Sequence, residues 1–173
     1  MKKISVVVPV YRSQDCLEEL AVRIDGILKN YELILVNDCS PDNSWNVIRS
    51  ISAKNRHVIG INLRKNAGQD NALMAGLRQA SGEYVVIMDD DLQHDPSFIP
   101  RLYDAVSSGF DVCYANFDNK KQALWKNLGS WLNGKVAQAV IQKPENIYLS
   151  PFKIIAKKLV DEIVNYDGPY PYV

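Results

Sequence analysis

Apolar positions along this chain alternate between two rhythms. Short runs of Val, Ile and Leu are separated by stretches in which apolar residues fall three and four apart. Runs of the first kind predict buried strands, and the second spacing predicts amphipathic helices. Residues 4–8 form a first strand. Leu17, Leu20, Ala21, Ile24 and Leu28 then mark a helical face, with Ser13 or Asp15 placed to cap it. Tyr31–Asn37 is the second strand, and a polar turn leads into a helix carrying Trp45, Ile48 and Ile51. Residues 57–63 form the third strand, followed by a helical face of Ala72, Leu73, Gly76 and Ala80. Residues 84–88 form the fourth, followed by Phe98, Leu102 and Val106 on a helix, and residues 111–115 form the fifth.

The rhythm changes near Asn116. A polar, basic stretch reaches Lys121. Leu124, Leu128, Trp131, Leu132 and Val136 predict a helix within residues 123–141, and Ile154, Ile155, Leu159 and Ile163 a last one. Strands alternating with helices over short connections predict an α/β fold: a doubly wound, mostly parallel sheet flanked by helices. In such a sheet all carboxyl ends of the strands share one edge, where ligands bind. Polar segments follow each of the first four strands: Pro9-Val10-Tyr11, Asn37-Asp38-Cys39-Ser40, Arg64 to Asn71, and Asp89-Asp90-Asp91. They are expected to line one cleft.

The acidic run is the sharpest chemical signal. Three adjacent carboxylates repel, and burying them without a counter-charge is costly. A hard divalent cation, Mg²⁺ or Mn²⁺, suits an oxygen-rich set that also meets substrate phosphates. The competing explanation is a solvated acidic turn, with Asp95-Pro96 capping the next helix. Asp38 is suited to accept hydrogen bonds from a base or ribose, and Tyr11 to stack on a base.

Composition narrows the class. The chain has 173 residues with equal numbers of basic and acidic side chains, 20 each. That balance speaks against a nucleic-acid partner. Cys16, Cys39 and Cys113 are isolated, which suits a reducing cytosolic compartment, and each is expected to pack as a small apolar residue. No G-x-x-x-x-G-K loop occurs and no G-x-G-x-x-G follows the first strand, so a P-loop or dinucleotide site is not expected. A sugar nucleotidyltransferase would want a Gly-rich basic loop after the first strand, which Pro9 to Ser13 does not supply.

These motifs together resemble the family 2 glycosyltransferases. Val8-Pro9-Val10-Tyr11, Leu35 to Ser40, Asn66-Ala67-Gly68 with Ala72 and Gly76, and Asp89-Asp90-Asp91 occur in that family's order. The resemblance implies a GT-A fold and an inverting enzyme that uses a nucleotide-diphosphate sugar, UDP-sugar being favoured and GDP-sugar the alternative. It implies a donor pocket of Pro9, Val10, Tyr11, Asp38, Asn66, Gly68, Asp89 and Asp90. The run Asp91-Leu92-Gln93-His94-Asp95-Pro96 is similar to the branch that glycosylates polyprenyl phosphates, in cell-envelope glycan assembly. Carried over, Asp89 and Asp91 are the catalytic pair, and Asp89, Asp91 and Gln93 hold the metal.

That branch has basic residues after the fifth strand, here matched by Lys120, Lys121 and Lys126, and a later Asp-Phe-Arg element. The latter reads Pro151-Phe152-Lys153, so the aspartate is missing and lysine replaces arginine. These four lysines are the candidate contacts for a lipid-phosphate acceptor, with a solvated basic face as the competing explanation and a glycan hydroxyl as the alternative acceptor. A hydroxyl would need a general base, and Glu145, Asp161, Glu162, Asp167, His57 and His94 are the weak candidates. The expected organisation is one catalytic domain over 1–173, with 1–116 binding donor and 117–173 beginning the acceptor part. The aromatic C-terminus suggests a piece of a longer protein, whose membrane association the resemblance implies. A donor-binding module without catalysis is the remaining alternative.

Overall fold

The computed structural model describes residues 3–116, 150–166 and 168. Among them, β1 (Ile4–Val10), β2 (Tyr31–Asn37), β3 (Val58–Asn62), β4 (Tyr84–Ile87), β5 (Val112–Tyr114) and β6 (Lys153–Ala156) form one sheet. Their order is β3-β2-β1-β4-β6-β5. The first four are parallel, and β6 runs antiparallel to both β4 and β5. The helices are α1 (Leu17–Ile27), α2 (Ser44–Lys54), α3 (Gln69–Gln79), α4 (Ile99–Ser107) and α5 (Lys157–Ile163).

Period-2 alternation sorts the strand side chains onto two faces. Val6, Val8, Leu33, Leu35 and Val86 pack with Leu20, Ile24, Ile48 and Leu102 of α1, α2 and α4. Val7, Ile34, Val36, Val85 and Ile87 pack with Leu73, Leu77 and Val160 of α3 and α5. Burying each such Val, Leu or Ile side chain contributes about 1.5–3 kcal/mol. Both faces are therefore covered, as a parallel sheet requires. Gly76 sets the closeness of α3 to the sheet: a Cβ there would lie 2.4 Å from Val7 Cγ1 and 3.1 Å from Val36 Cγ2.

The buried edge of the sheet away from the cleft carries a polar staple. Glu32, almost fully buried, accepts from Ser5 Oγ at 2.6 Å, the Ser81 amide at 2.7 Å and Lys3 Nζ at 2.8 Å. Burial works to raise the Glu32 carboxyl, but the hydrogen bonds from Lys3, Ser5 and Ser81 outweigh it and hold it at about 2.

Three expectations are corrected. Ile154 and Ile155 belong to β6, not to a last helix; α5 carries only Leu159 and Ile163 of that set. Adjacent apolar residues fit either period, and β6 is buried on both faces, Ile154 on the α1 side and Ile155 on the α3 side. The cap expected at Ser13 or Asp15 is absent: α1 begins at Leu17 with Cys16 before it and no side-chain cap. Cys39 is exposed rather than packed. The helix expected within residues 123–141 lies outside the described residues. Among the described residues no helix is long and apolar enough to cross a membrane.

Candidate active site

The cleft originates where β1 and β4 part. Their pairing covers Ile4–Val7 against Tyr84–Ile87, while β1 continues through Val8 and Pro9 to Val10. Pro9, which has no N–H to give, thus sits where β1 has lost its β4 neighbour. With β2 on one side of β1 and β4 on the other, this is the switch point of the sheet, where ligand clefts open in such folds.

The loops beyond the strand ends are tied to one another. The Arg12 amide donates to Ser40 Oγ at 2.7 Å and the Gln14 amide to Asp42 Oδ2 at 3.3 Å. Ser40 Oγ and the Ser44 amide both donate to Asp42 Oδ1. Burial would raise the Asp42 carboxyl, but the bonds from Ser40, Ser44 and Gln14 prevail and hold it at about 2. Residues 12–14 are spent on this junction, which explains why they do not cap α1. Arg12, Cys39 and Leu92 all have positive φ, at 60°, 52° and 60°. Left-handed backbone is costly for side-chain-bearing residues, and strain of this kind clusters at functional loops.

Asp38 is buried at the end of β2, and its carboxylate is already engaged. Oδ1 accepts from the Ala67 amide at 2.7 Å and Oδ2 from the Gly68 amide at 2.9 Å. This pair pins the β3–α3 loop, with Gly68 at φ 87° directly before α3. Each oxygen keeps a lone pair for a further donor.

The acidic run lies opposite. Asp89 Oδ1 accepts from Gln69 Nε2 at 3.0 Å, Asp90 Oδ2 from the Tyr11 amide at 3.2 Å, and Asp91 Oδ1 from the Gln93 amide at 3.0 Å. Burial lifts the Asp89 carboxyl above its ordinary range, and the charge of Asp91 adds to the rise; His94 and the Gln69 hydrogen bond oppose it. Burial likewise raises Asp90, against hydrogen bonds from Ser13 and Tyr11. The site therefore concentrates negative charge that protein groups do not fully offset. The acidic-cap explanation also holds, but for Asp95 alone, which accepts from the Ser97 amide at 2.9 Å at the head of a short 3₁₀ turn.

All eight expected donor-site residues, Pro9, Val10, Tyr11, Asp38, Asn66, Gly68, Asp89 and Asp90, line one cavity of about 370 Å³ together with Gln69 and Asp91. Gln93 is not among the lining residues. Oxygen donors of this kind suit a hard cation. Among the described residues no three His, Cys, Asp or Glu side chains converge to cage an ion unaided. The carboxylates thus fit a cation held from one side, with ligand phosphate and water oxygens completing its shell.

A second cavity of about 450 Å³ adjoins the first, with Gln69 lining both. Lys153, buried at the start of β6, opens onto it. Lys120, Lys121, Lys126, Glu145 and Asp167 lie outside the described residues. Asp161 is paired with Lys157 along α5, and Lys157 and Asp161 line neither of these cavities. His57 stacks on Tyr31 with ring centroids 4.9 Å apart, and His94 lies against Phe152 at 5.5 Å. Gln69 lies in the polar segment after the third strand, yet nothing local marks it; its hydrogen bond reaches 20 positions along the chain.

The sequence signature of the family described as Glycosyl transferase family 2 matches residues 5–164. The chain belongs to this family. It is 31% identical over 170 residues to the undecaprenyl-phosphate 4-deoxy-4-formamido-L-arabinose transferase of Klebsiella pneumoniae (strain 342). That match covers 95% of this chain and 52% of the relative, so the chain spans about half the length of the curated relatives it matches. Among solved structures it is similar to the mannosyltransferase PcManGT of Pyrobaculum calidifontis in complex with GDP-Man and Mn²⁺. The TM-score is 0.71 at 18% identity, over 94% of this chain and 46% of that one. It is also similar to glucosyl-3-phosphoglycerate synthase of Mycobacterium tuberculosis in complex with Mn²⁺, UDP-glucose and phosphoglyceric acid. There the TM-score is 0.69 at 21% identity, over 91% of this chain and 57% of that one. At these identities the likeness establishes the fold, which is the GT-A arrangement expected of a family 2 glycosyltransferase domain.

Proposed function

We propose that this chain is the donor-binding, catalytic part of an inverting glycosyltransferase that moves a sugar from a nucleotide-diphosphate sugar to a polyprenyl phosphate. The observation that supports it most is the convergence of residues from four strand ends, with four aspartates among them, on one cleft at the β1–β4 switch point. In this reading residues 1–116 bind donor and 117–173 begin the acceptor part. Catalytic roles fall to Asp89 and Asp91, and cation binding to Asp89, Asp91 and Gln93.

The residues divide the task. The face of Tyr11, half-exposed at the rim, stacks on the base. The lone pairs left on Asp38 accept a ring N–H, which uracil and guanine offer and cytosine and adenine do not. Asp90, held by the Tyr11 amide, faces the ribose. Asp89, Asp91 and Gln93 would hold a divalent cation, which would neutralise the diphosphate and make it a better leaving group; Mn²⁺ accompanies the nucleotide in both structural relatives named above. An oxygen of the acceptor phosphate forms a bond to the anomeric carbon as the bond from that carbon to the diphosphate oxygen breaks. The nucleoside diphosphate departs with the electron pair, and the configuration inverts. A phosphate acceptor is already an anion, so no general base is required.

Calorimetric titration with UDP and with GDP, each with and without Mn²⁺, tests the donor half. Cation-dependent binding of one nucleotide, lost in Asp91→Ala, is expected. Binding indifferent to both Mn²⁺ and Asp91 would refute the assignment. In the full-length enzyme, Asp89→Ala and Asp91→Ala are expected to abolish sugar transfer while the fold persists.

A further inference from the structure

Arg12 directly follows Tyr11 at the rim of the donor cleft, exposed and in left-handed backbone at φ 60°. Such backbone is costly for a residue with a long side chain and persists only where its surroundings fix it. Here three successive amides are fixed. The Tyr11 amide donates to Asp90 Oδ2 at 3.2 Å, the Arg12 amide to Ser40 Oγ at 2.7 Å and the Ser13 amide to Ser44 Oγ at 3.3 Å. The partners come from the loop after β4, from the turn after β2 and from the first residue of α2. Relaxing the turn at Arg12 would therefore break bonds to both sides of the cleft.

The turn decides where the guanidinium goes. Asp38, Asp89, Asp90 and Asp91 line the adjoining cavity, yet none of the ion pairs among the described residues includes Arg12. The guanidinium carbon instead lies over the Tyr11 ring, 5.4 Å from its centroid. A cation within about 6 Å of a ring centroid is attracted to the ring face. A planar, weakly hydrated guanidinium suits that contact better than an ammonium does. Tyr11 is 44% exposed and lines the cavity. A ring so exposed loses freedom when a base stacks on it, and a contact that orders it beforehand lowers that cost. With Arg12 on one face of the ring, the other face is left for the base.

We propose that Arg12 is a positioning residue for the nucleotide base: it backs the Tyr11 ring on the face opposite the base and so favours a nucleotide over a diphosphate that lacks one. The inference rests on the donor-site reading, in which Tyr11 stacks on the base, and adds to it the residue that holds the ring ready.

UDP, GDP and inorganic pyrophosphate, each with Mn²⁺, are titrated into the purified chain and its variants. For the nucleotide that binds, Arg12→Ala is expected to weaken affinity by about two- to fivefold and to leave pyrophosphate affinity unchanged. Arg12→Lys is expected to recover part of the loss. Arg12→Gly relieves the left-handed backbone but lacks the guanidinium, so it is expected to lose affinity as Arg12→Ala does. Tyr11→Ala is expected to weaken nucleotide binding by about fivefold or more, and adding Arg12→Ala to it should cost nothing further. Full nucleotide affinity in Arg12→Ala or in Arg12→Gly would overturn the proposal. So would an equal loss for pyrophosphate, or an undiminished loss in the Tyr11→Ala background, either of which puts Arg12 on the diphosphate. A parent chain that binds neither UDP nor GDP would defeat the donor assignment itself. Nucleotide binding that the Arg12 variants leave untouched would defeat the ring contact alone.

Discussion

Gln69 donates its side-chain amide to Oδ1 of Asp89 at 3.0 Å, across the boundary between the two cavities. The bond fixes which oxygen of Asp89 remains open to the cleft. Gln69 is the first residue of α3, held in place by the Gly68 turn and by Asp38 beneath it. Its exposed position makes it cheap to replace in stability terms.

Gln69→Ala should therefore separate function from folding. The unfolding midpoint is expected to stay near that of the parent. Cation-dependent nucleotide affinity is expected to fall by about three- to tenfold, the worth of one ordinary hydrogen bond. Calorimetry with UDP and Mn²⁺ measures it. An unchanged affinity would show that Asp89 needs no help in keeping its orientation.

Asp38 serves two masters, and two substitutions pull the roles apart. Asp38→Ala strips acceptors from the Ala67 and Gly68 amides and is expected to cost about 1–3 kcal/mol. Asp38→Asn keeps one acceptor but turns an amide N–H toward the other loop amide. It should recover part of the stability and still bind nucleotide poorly, because the base then meets a donor instead of an acceptor. Urea denaturation and UDP titration on both variants check this. Full nucleotide affinity in Asp38→Asn would remove Asp38 from base recognition.

The cleft was legible because a parallel sheet delivers every strand's carboxyl end to one edge, so residues distant in sequence could be grouped from local pattern alone. Pro9, Asp38, Gly68 and Asp89 meet for that reason. The position of β6 was not legible. Its return against β4 is a pairing between residues about 70 positions apart, and Ile154-Ile155 carries no mark that distinguishes strand from helix. Lys153 was singled out from its likeness to an arginine element, but its company, Tyr114 and the α5 side chains, follows only from that antiparallel insertion. The Gln69–Asp89 bond was hidden for a similar reason: it joins the start of one helix to the end of the next strand.

Gly76 gives a test of the packing that carries the cleft. Gly76→Ala places a methyl 2.4 Å from Val7 Cγ1, well inside contact distance, and the wall it meets is the fully buried centre of β1 and β2. Helix propensity favours alanine by about 1 kcal/mol. Overpacking against an unyielding core costs about 1–3 kcal/mol or more. The net expectation is destabilisation, read as a lower denaturation midpoint, with α3 pushed off the sheet and nucleotide affinity reduced because Gly68 and Gln69 move with it. A more stable variant would mean that α3 has slack against Val7 and Val36.

Acid should expose the staple at Glu32. Its carboxyl is held at about 2 in the folded chain, against an ordinary value of 4.5. Between those values the unfolded chain binds a proton that the folded chain does not, so stability rises with pH across that window. The contribution is fully present above about pH 4.5 and is lost as pH falls through about 2. Glu32→Gln keeps the shape and removes the charge, so Lys3 loses its partner and the Ser81 contacts weaken. The stability gap between parent and variant, from urea midpoints, is expected to be widest near neutral pH. It should narrow steadily below about pH 4.5. A gap that stays constant down to about pH 2.5 would show that the hydrogen bonds around Glu32, and not its charge, secure the sheet edge opposite the active site.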